Sequence, residues 1–272
     1  MEKWSAKRDV SQWKYGDKMI SWMISSESSR TLERYAGNGL SQPELDAFFD
    51  NTSSYQLARY PQNTATSPFP SASSTEVFGD YNTLVSALDS GLAPNVHAVM
   101  YNPEAWSFTP AEQQRNPALY EMLAAEAAHA HGLKLIAAPA VDLLSVNGDR
   151  RDGTIYDQYI ADGYAAAAAK YADVYEIQAQ GLGRNTLEYS QFVSQAAAQA
   201  KAANPNVTVF AGLSTSTNGI SVTSSELYAD VHATENMLAG YWLNIAGPSP
   251  YSPNVTQSHP QVAVALLNDL WR

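Results

Sequence analysis

Short apolar runs alternate with amphipathic stretches along most of the chain. Runs of strand length, rich in Val, Ile, Leu and aromatic residues, are followed by longer segments with helical spacing. These runs predict strands at 19–25, 55–60, 96–101, 133–138, 173–180, 207–213 and 240–245. Helices are predicted at 41–50, 80–88, 117–131, 156–171, 186–203, 223–230 and 261–271. The polar stretches 26–29 and 61–75 predict loops, and capping boxes are predicted at 41–44 and 109–112.

This order of elements predicts the fold class. Short buried strands that alternate with helices are typical of a parallel sheet with helical crossovers. Seven or eight such units in roughly 250 residues favour an α/β fold of the (β/α)8 TIM-barrel type. An open doubly wound sheet is the main alternative, but no G-x-G-x-x-G motif follows a predicted strand. We expect residues 1–18 to form an N-terminal arm and residues 19–272 a single barrel domain.

The predicted strand 173–180, the fifth in order, carries an unusual row of polar side chains. Glu176, Gln178 and Gln180 alternate with apolar residues, so they share one face of a strand. Burial of unpaired polar groups costs about 1–3 kcal/mol each, which a structural strand normally avoids. The row therefore predicts the floor of a functional site. A satisfied structural hydrogen-bond network is the alternative.

Other candidate site residues follow from the barrel prediction. Active sites of such barrels lie at the carboxyl ends of the strands. Glu104 and Glu176 are predicted as an acid/base pair, because glycosyl transfer to water requires two carboxyl groups beside the scissile bond. The predicted substrate-binding residues stand at these ends or in the loops that follow them. They are Tyr101, Asn102, Asp142, Gln178, Gln180, Ser214, Trp242 and Asn244.

The polar strand also resembles a known catalytic motif. Asp173, Glu176, Gln178 and Gln180 match the spacing of the D-x-x-D-x-D-x-E strand of chitinase-like glycoside hydrolases of family 18. Those proteins are (β/α)8 barrels that act on N-acetylglucosamine polymers, and Trp242 is similar to their floor tryptophan. The resemblance places Gln180 at the proton-donor position and Gln178 at the position that orients the acetamide. An amide is no general acid, so the resemblance implies either a sugar-binding relative or an enzyme with its acid elsewhere.

The composition of the chain argues against several kinds of binding partner and cofactor. The 272 residues carry a net charge of −11, which argues against nucleic acid and anionic membranes. No Cys is present, and the five His lack metal-ligand spacing, so we expect no metal and no cofactor. The sequence contains no apolar run of about 18 residues, so we expect no membrane span. A Ser-, Thr-, Asn- and Tyr-rich composition favours an extracellular protein, but residues 1–18 lack a signal-peptide core. The compartment and the oligomeric state are left open.

The sequence thus predicts a glycoside-hydrolase-like barrel that acts on a carbohydrate or glycoside through a carboxylate pair. Two alternatives remain. One is a glycan-binding barrel without catalysis, because Gln and Asn amides both donate to and accept from sugar hydroxyls. The other is a cofactor-free lyase or isomerase that acts on a small metabolite with one carboxylate as base. A deep, closed, apolar pocket would favour the latter.

Overall fold

Eight parallel strands close into a barrel in the computed structural model, which describes residues 20–35, 39–61, 68–146, 153–217, 219–249 and 254–271. The predicted (β/α)8 architecture is therefore confirmed, whereas the predicted N-terminal arm at 1–18 lies outside the described residues. The barrel strands are β1 (Ser21–Ser25), β2 (Tyr55–Arg59), β3 (Ser73–Phe78), β4 (Val96–Tyr101), β5 (Lys134–Ala137), β6 (Val174–Ile177), β7 (Thr208–Ser214) and, after a small hairpin of β8 (Ser216–Thr217) and β9 (Ile220–Ser221), β10 (Gly240–Asn244).

Helices follow most of the strands and surround the barrel. They are α1 (Ser26–Tyr35), α2 (Gln42–Phe49), α3 (Tyr81–Ser90), α4 (Ala111–Arg115), α5 (Pro117–Ala130), α6 (Ile155–Ala161), α7 (Tyr164–Ala169), α8 (Thr186–Ala203), α9 (Ser224–Thr234) and α10 (Pro260–Trp271). Short 3-10 helices span Val141–Ser145 and Gln180–Leu182. None of the helices in the described ranges is long and apolar enough to cross a membrane.

The barrel closes between its first and last strands. Ser21 of β1 pairs with Gly240 of β10, and Met23 of β1 pairs with Tyr55 of β2 on the other side. All eight neighbouring pairs are parallel. Because every strand runs the same way, all eight carboxyl ends meet at one rim.

Alternation along the strands separates two hydrophobic cores. Met23 belongs to the cluster inside the barrel, whereas its neighbours Trp22 and Ile24 belong to the layer between barrel and helices. Most of the barrel strands thus contribute to both cores, as the period-2 geometry requires. The interior cluster consists of Met23, Tyr55, Leu57, Val77, Ala98, Met100, Ile136, Ala138, Val174 and Phe210.

One strand was missed by the sequence pattern. The predicted loop 61–75 is wrong at its end, because Ser73–Phe78 forms β3 between β2 and β4. The strand carries Ser73, Ser74, Thr75 and Glu76, and a hydrophobic pattern does not detect such a polar run. Burial raises the pKa of the Glu76 carboxyl to about 7. With β3 included, the polar row lies on the sixth barrel strand and not on the fifth.

Two predictions about connections also need correction. The predicted loop 26–29 is the first turn of α1, where the Ser28 amide donates to Ser25 Oγ at 3.0 Å and the Ser29 hydroxyl donates to the Ser25 carbonyl at 2.9 Å. The predicted helix 156–171 is divided into α6 and α7, because Gly163 between them has a positive φ of 71°.

The two predicted capping boxes had different outcomes. The box at Ser41 is confirmed, since the Glu44 carboxylate accepts from the Ser41 amide at 2.6 Å and from its hydroxyl at 2.7 Å. The box at 109–112 is wrong, since α4 begins at Ala111. The Thr109 hydroxyl instead donates to the Gly79 carbonyl at 2.8 Å. That contact holds the loop after β4 to the loop after β3.

Closure of the barrel depends on Gly240. A Cβ atom at this position would lie 1.8 Å from the Ser21 carbonyl oxygen and 2.8 Å from the Phe210 ring. We expect Gly240→Ala to lower the free energy of unfolding by about 3 kcal/mol, because the β1–β10 pairing must open. Urea unfolding measures this. Gly79→Ala is the matched control, since its Cβ would meet nothing closer than Trp106 Nε1 at 3.6 Å. Equal effects of the two substitutions would contradict the role of Gly240.

Candidate active site

A cleft of about 620 Å³ opens at the carboxyl ends of the strands. The end of every barrel strand contributes to its lining. One residue from each in chain order is Ser25, Arg59, Val77, Asn102, Ala140, Gln178, Ser214 and Asn244. Among the residues that the structure describes, the carboxylates of Glu27, Glu104 and Asp142 also line it. Segments from across the chain therefore meet in one place, as the barrel geometry dictates.

Glu104 is held by the loop that follows β4. Asn102 Nδ2 donates to Glu104 Oε1 at 2.9 Å, and the Glu104 amide donates to Thr109 Oγ1 at 3.2 Å. The backbone amide of Asn102 donates to the Phe78 carbonyl at 2.8 Å, which ties the loop to the end of β3. The carboxyl group is thus fixed by its own loop and by the neighbouring strand.

The electrostatic environment of Glu104 suits a proton donor. Burial and the nearby Asp142 carboxylate raise the pKa of Glu104 to about 7. The hydrogen bond from Asn102 and the positive charge of Arg59 oppose this shift. A carboxyl group with such a pKa is half protonated near neutral pH, which is the condition for general acid catalysis.

Asp142 stands next to the Glu104 loop. It lies in the first turn of the 3-10 helix after β5, and its Oδ1 accepts from the Ala105 amide at 3.1 Å. Burial raises its pKa, while hydrogen bonds from the Ala105 and Asp142 backbones lower it. Asp142 lines the cleft, so two carboxyl groups of different environment face the same space.

Glu176 lies deeper than the sequence prediction assumed. Val174 belongs to the barrel interior, and Tyr175 and Ile177 belong to the outer layer, so Glu176 points into the barrel. Its side chain is 0% exposed and does not line the cleft. Neither carboxyl oxygen has a hydrogen-bond partner among the described residues. Burial, and secondarily Glu104, raise the pKa of Glu176 well above its usual range.

The two glutamines of the polar row both reach the cleft but are held differently. Gln178 Nε2 donates to Asn102 Oδ1 and to the Ala138 carbonyl, the latter at 2.9 Å. Strand β6 ends at Ile177, so the predicted extension of the strand to Gln180 is wrong. Gln180 opens the following 3-10 helix, and its side chain occupies the space left by the missing Cβ of Gly212.

The remaining predicted site residues are divided between the cleft and the outer layer. Ser214, Trp242 and Asn244 line the cleft, and Trp242 Nε1 is buried without a partner in the described part of the chain. Tyr101 does not line it. Its hydroxyl donates to Gln113 Oε1 at 2.9 Å within the layer between barrel and helices. Strand alternation places Tyr101 on the opposite face from Asn102.

Arg59 and Trp106 line the cleft as well, although neither was among the predicted catalytic or substrate-binding residues. The Arg59 guanidinium lies 5.0 Å from the centre of the Trp106 ring. Trp106 Nε1 donates to Thr109 Oγ1 at 2.9 Å, and the ring makes an edge contact with Phe108. The signal in the sequence was an aromatic pair in the polar loop directly after Glu104.

The first residue of the resemblance motif lies at the other end of the barrel strand. Asp173 precedes β6 and accepts from the Leu135 amide at 2.8 Å, and its Oδ2 lies 2.8 Å from His129 Nε2. This contact is at the amino end of the strands, away from the cleft. In the ranges described, no group of three or more His, Asp or Glu has the arrangement of a metal site.

Comparisons with known proteins give little further information. No protein-family model matches the sequence. No curated protein matches it either. Among solved structures, the chain is similar to a crystal structure of chitinase from Chromobacterium violaceum ATCC 12472, over 92% of this chain and 99% of that chain. The sequences are 11% identical and the TM-score is 0.47, so this similarity carries no argument about activity.

Removing the charges of Asp142 and Arg59 should shift the pKa of Glu104 in opposite directions. Asp142→Asn removes a negative charge, so the pKa of Glu104 should fall below about 7. Arg59→Gln removes a positive charge, so the same pKa should rise. A carbon-detected NMR titration of the Glu104 carboxyl measures both. Glu27→Gln in the same cleft is the control and should leave this titration unchanged. Shifts of the same sign in the first two variants would disprove the assignment.

Burial of Glu176 predicts a pH-dependent stability. Its folded-state pKa lies above the unfolded value, so ionisation of the unfolded chain lowers stability as the pH rises above the usual range of a glutamate. Glu176→Gln mimics the protonated form and avoids this loss. At about pH 8 it should raise the free energy of unfolding by roughly 1–3 kcal/mol, and the gain should shrink toward about pH 4.

Denaturant unfolding at both pH values measures the effect of Glu176→Gln. Glu126→Gln, at an exposed position of α5, is the control with the same chemical change. A variant at Glu176 that loses stability at the higher pH would mean that the ionised carboxylate has a stabilising partner.

Proposed function

We propose that this barrel is a glycosidase-like hydrolase that binds a carbohydrate or glycoside in the cleft, with Glu104 as the general acid. The observation that carries the proposal is the Glu104 carboxyl group itself. It lines the cleft at the carboxyl ends of the strands, is fixed by Asn102, and has a pKa raised to about 7. These are the features of a group that delivers a proton near neutral pH.

Asp142 is the second carboxylate in this proposal. It lines the same cleft and lies close enough to raise the pKa of Glu104. Glycoside hydrolysis requires one carboxyl group to protonate the leaving oxygen and another to activate water or attack the sugar. Glu104 takes the first role and Asp142 the second. Glu176, which the sequence paired with Glu104, does not line the cleft, so this proposal gives it no part in the proton transfer.

The polar lining supplies groups that suit sugar hydroxyls. Gln178, Gln180 and Asn244 carry amides that both donate and accept hydrogen bonds. Trp106 and Trp242 offer aromatic surface on which a sugar ring can stack. The proposal therefore assigns binding to these five residues and proton transfer to the carboxylates.

A glycan-binding protein without catalysis is the second candidate. It is favoured by Gln180, which lines the cleft at the position that the resemblance gives to the proton donor. In that case the cleft would bind oligosaccharides and release them unchanged. The lyase or isomerase alternative expected a deep, closed, apolar pocket, whereas polar side chains such as Arg59, Asn102 and Gln178 line this cleft.

Glu104→Gln tests the proposed general acid. We expect turnover of a susceptible oligosaccharide to fall by at least about 100-fold, because the amide cannot protonate the leaving oxygen. Binding should persist, since the amide keeps the shape and hydrogen-bonding capacity of the protonated acid. A panel of α- and β-linked oligosaccharides, with and without N-acetyl groups, identifies the substrate by product analysis. Glu27→Gln is the matched control in the same cleft and should keep most activity.

The pH profile gives an independent check of the acid. The proton leaves Glu104 as the pH rises through about 7, so wild-type activity should fall over that range. Binding of oligosaccharides by the wild type, with no turnover across the panel and pH range, would favour the glycan-binding alternative. Full activity of Glu104→Gln would refute the assignment of the acid.

A further inference from the structure

A second cavity lies outside the barrel and shares no lining residue with the cleft. Its volume is about 380 Å³, and it is lined by the first turns of α5, by α7 and by Pro139 after β5. Ala167 and Ala168 belong to the alanine run of α7, and their small side chains leave room at this point. Leu119, which is 47% exposed, stands in the lining on the α5 side.

Glu121 is the buried acidic residue in the lining of this cavity. Glu121 lines it and is 2% exposed, and neither carboxyl oxygen has a hydrogen-bond partner among the described residues. Burial raises the pKa of Glu121 well above its usual range. A buried carboxyl group without a partner costs about 1–3 kcal/mol. Nothing in the cleft chemistry proposed above explains this cost.

The neighbouring tyrosine hydroxyl groups do not form hydrogen bonds with the Glu121 carboxyl group. Its charge raises the pKa values of Tyr101, Tyr159 and Tyr175, so all three rings are close to it. The Tyr101 hydroxyl donates to Gln113, however, and the hydroxyls of Tyr159 and Tyr175 pair with each other at 2.9 Å. The Glu121 carboxyl group thus has unused hydrogen-bonding capacity, which a ligand in the cavity would satisfy.

We propose that this cavity binds a small primary amine with an apolar body, whose ammonium group pairs with the Glu121 carboxylate. Pro117, Leu119, Ala167 and Ala168 would contact the apolar body. The proposal is independent of the function assigned to the cleft.

The chemistry of the cavity favours an amine over other small molecules. A carboxylate is an acceptor without donors, and an ammonium group carries three donors and the opposite charge. An alcohol would offer a neutral hydrogen bond, and an acid would place a second carboxyl group beside the first. The opposite charges of Arg115 and Asp162, both in the lining, offset each other. On binding, Glu121 gives its proton to the solvent and the ammonium group keeps all of its protons.

Titration calorimetry with three ligands of matched shape tests the proposal. Benzylamine should bind, whereas benzyl alcohol and benzoate should bind at least about tenfold more weakly. Buffers of different ionisation enthalpy should reveal the release of about one proton per bound amine. The dissociation constant should therefore fall as the pH rises toward the pKa of Glu121. The other titratable groups that face this site are Tyr101, Tyr159, Tyr164, Tyr175, Arg115 and Asp162.

Two variants locate the bound amine. Glu121→Gln keeps the volume and a neutral hydrogen-bonding group, so it should fold, and it should weaken benzylamine binding at least about tenfold and abolish the proton release. Glu104→Gln should leave benzylamine binding unchanged, which excludes the cleft as its site. Ala168→Leu fills the cavity from α7 and should also weaken binding, with thermal unfolding as the check on folding. Equal affinity for amine and alcohol, or unchanged binding by Glu121→Gln, would overturn the proposal.

Discussion

Closure of the sheet, with β10 lying parallel to β1, is the constraint on which the rest of the molecule depends. It brings the carboxyl ends of eight strands to one rim. Glu104, in the loop after β4, and Asp142, in the loop after β5, therefore line a single cleft. It also fixes which side chains are inside, because alternation along a closed sheet allows no slippage without exchanging the two cores. The close approach of Ser21 to Gly240 is the point at which this closure is sterically most demanding.

Several carboxyl groups in this structure are buried away from water. Burial raises the pKa values of Glu76, Glu104, Glu121, Glu176 and Asp230. What distinguishes Glu104 is its setting and not the size of the shift. It lines a cleft, accepts a hydrogen bond from Asn102, and has charges of both signs nearby. A raised pKa alone therefore does not identify a catalytic residue, because structural burial produces the same shift.

The hydrophobic pattern predicted the barrel and seven of its strands, since apolar runs of strand length are a local property. It missed β3, where Ser, Thr and Glu side chains occupy a buried strand whose position only the closed sheet determines. The site was predicted less completely. The sequence indicates that Tyr101 and Asn102 end a strand, but not which of them faces the cleft. Likewise the depth of Glu176 depends on where β6 ends relative to the rim, and that is set by pairing with its neighbours.

The loop that carries Glu104 is tied to the end of β3 and to Gly79, and Gln114 of α4 donates to the Trp106 and Thr109 carbonyls of the loop at 2.7 Å each. Thr109 accepts from Glu104 and donates to Gly79, so the acid keeps its place through contacts made before α5 begins. The same segment is also bonded to the loop after β5, because the Ala105 amide donates to Asp142 at 3.1 Å. None of the hydrogen bonds described for this loop comes from α5, so we expect substitutions around Glu121 to leave the position of the acid unchanged. The acid's loop therefore depends on α4 and on neighbouring strands of the barrel, whereas α5 can change its sequence independently of it.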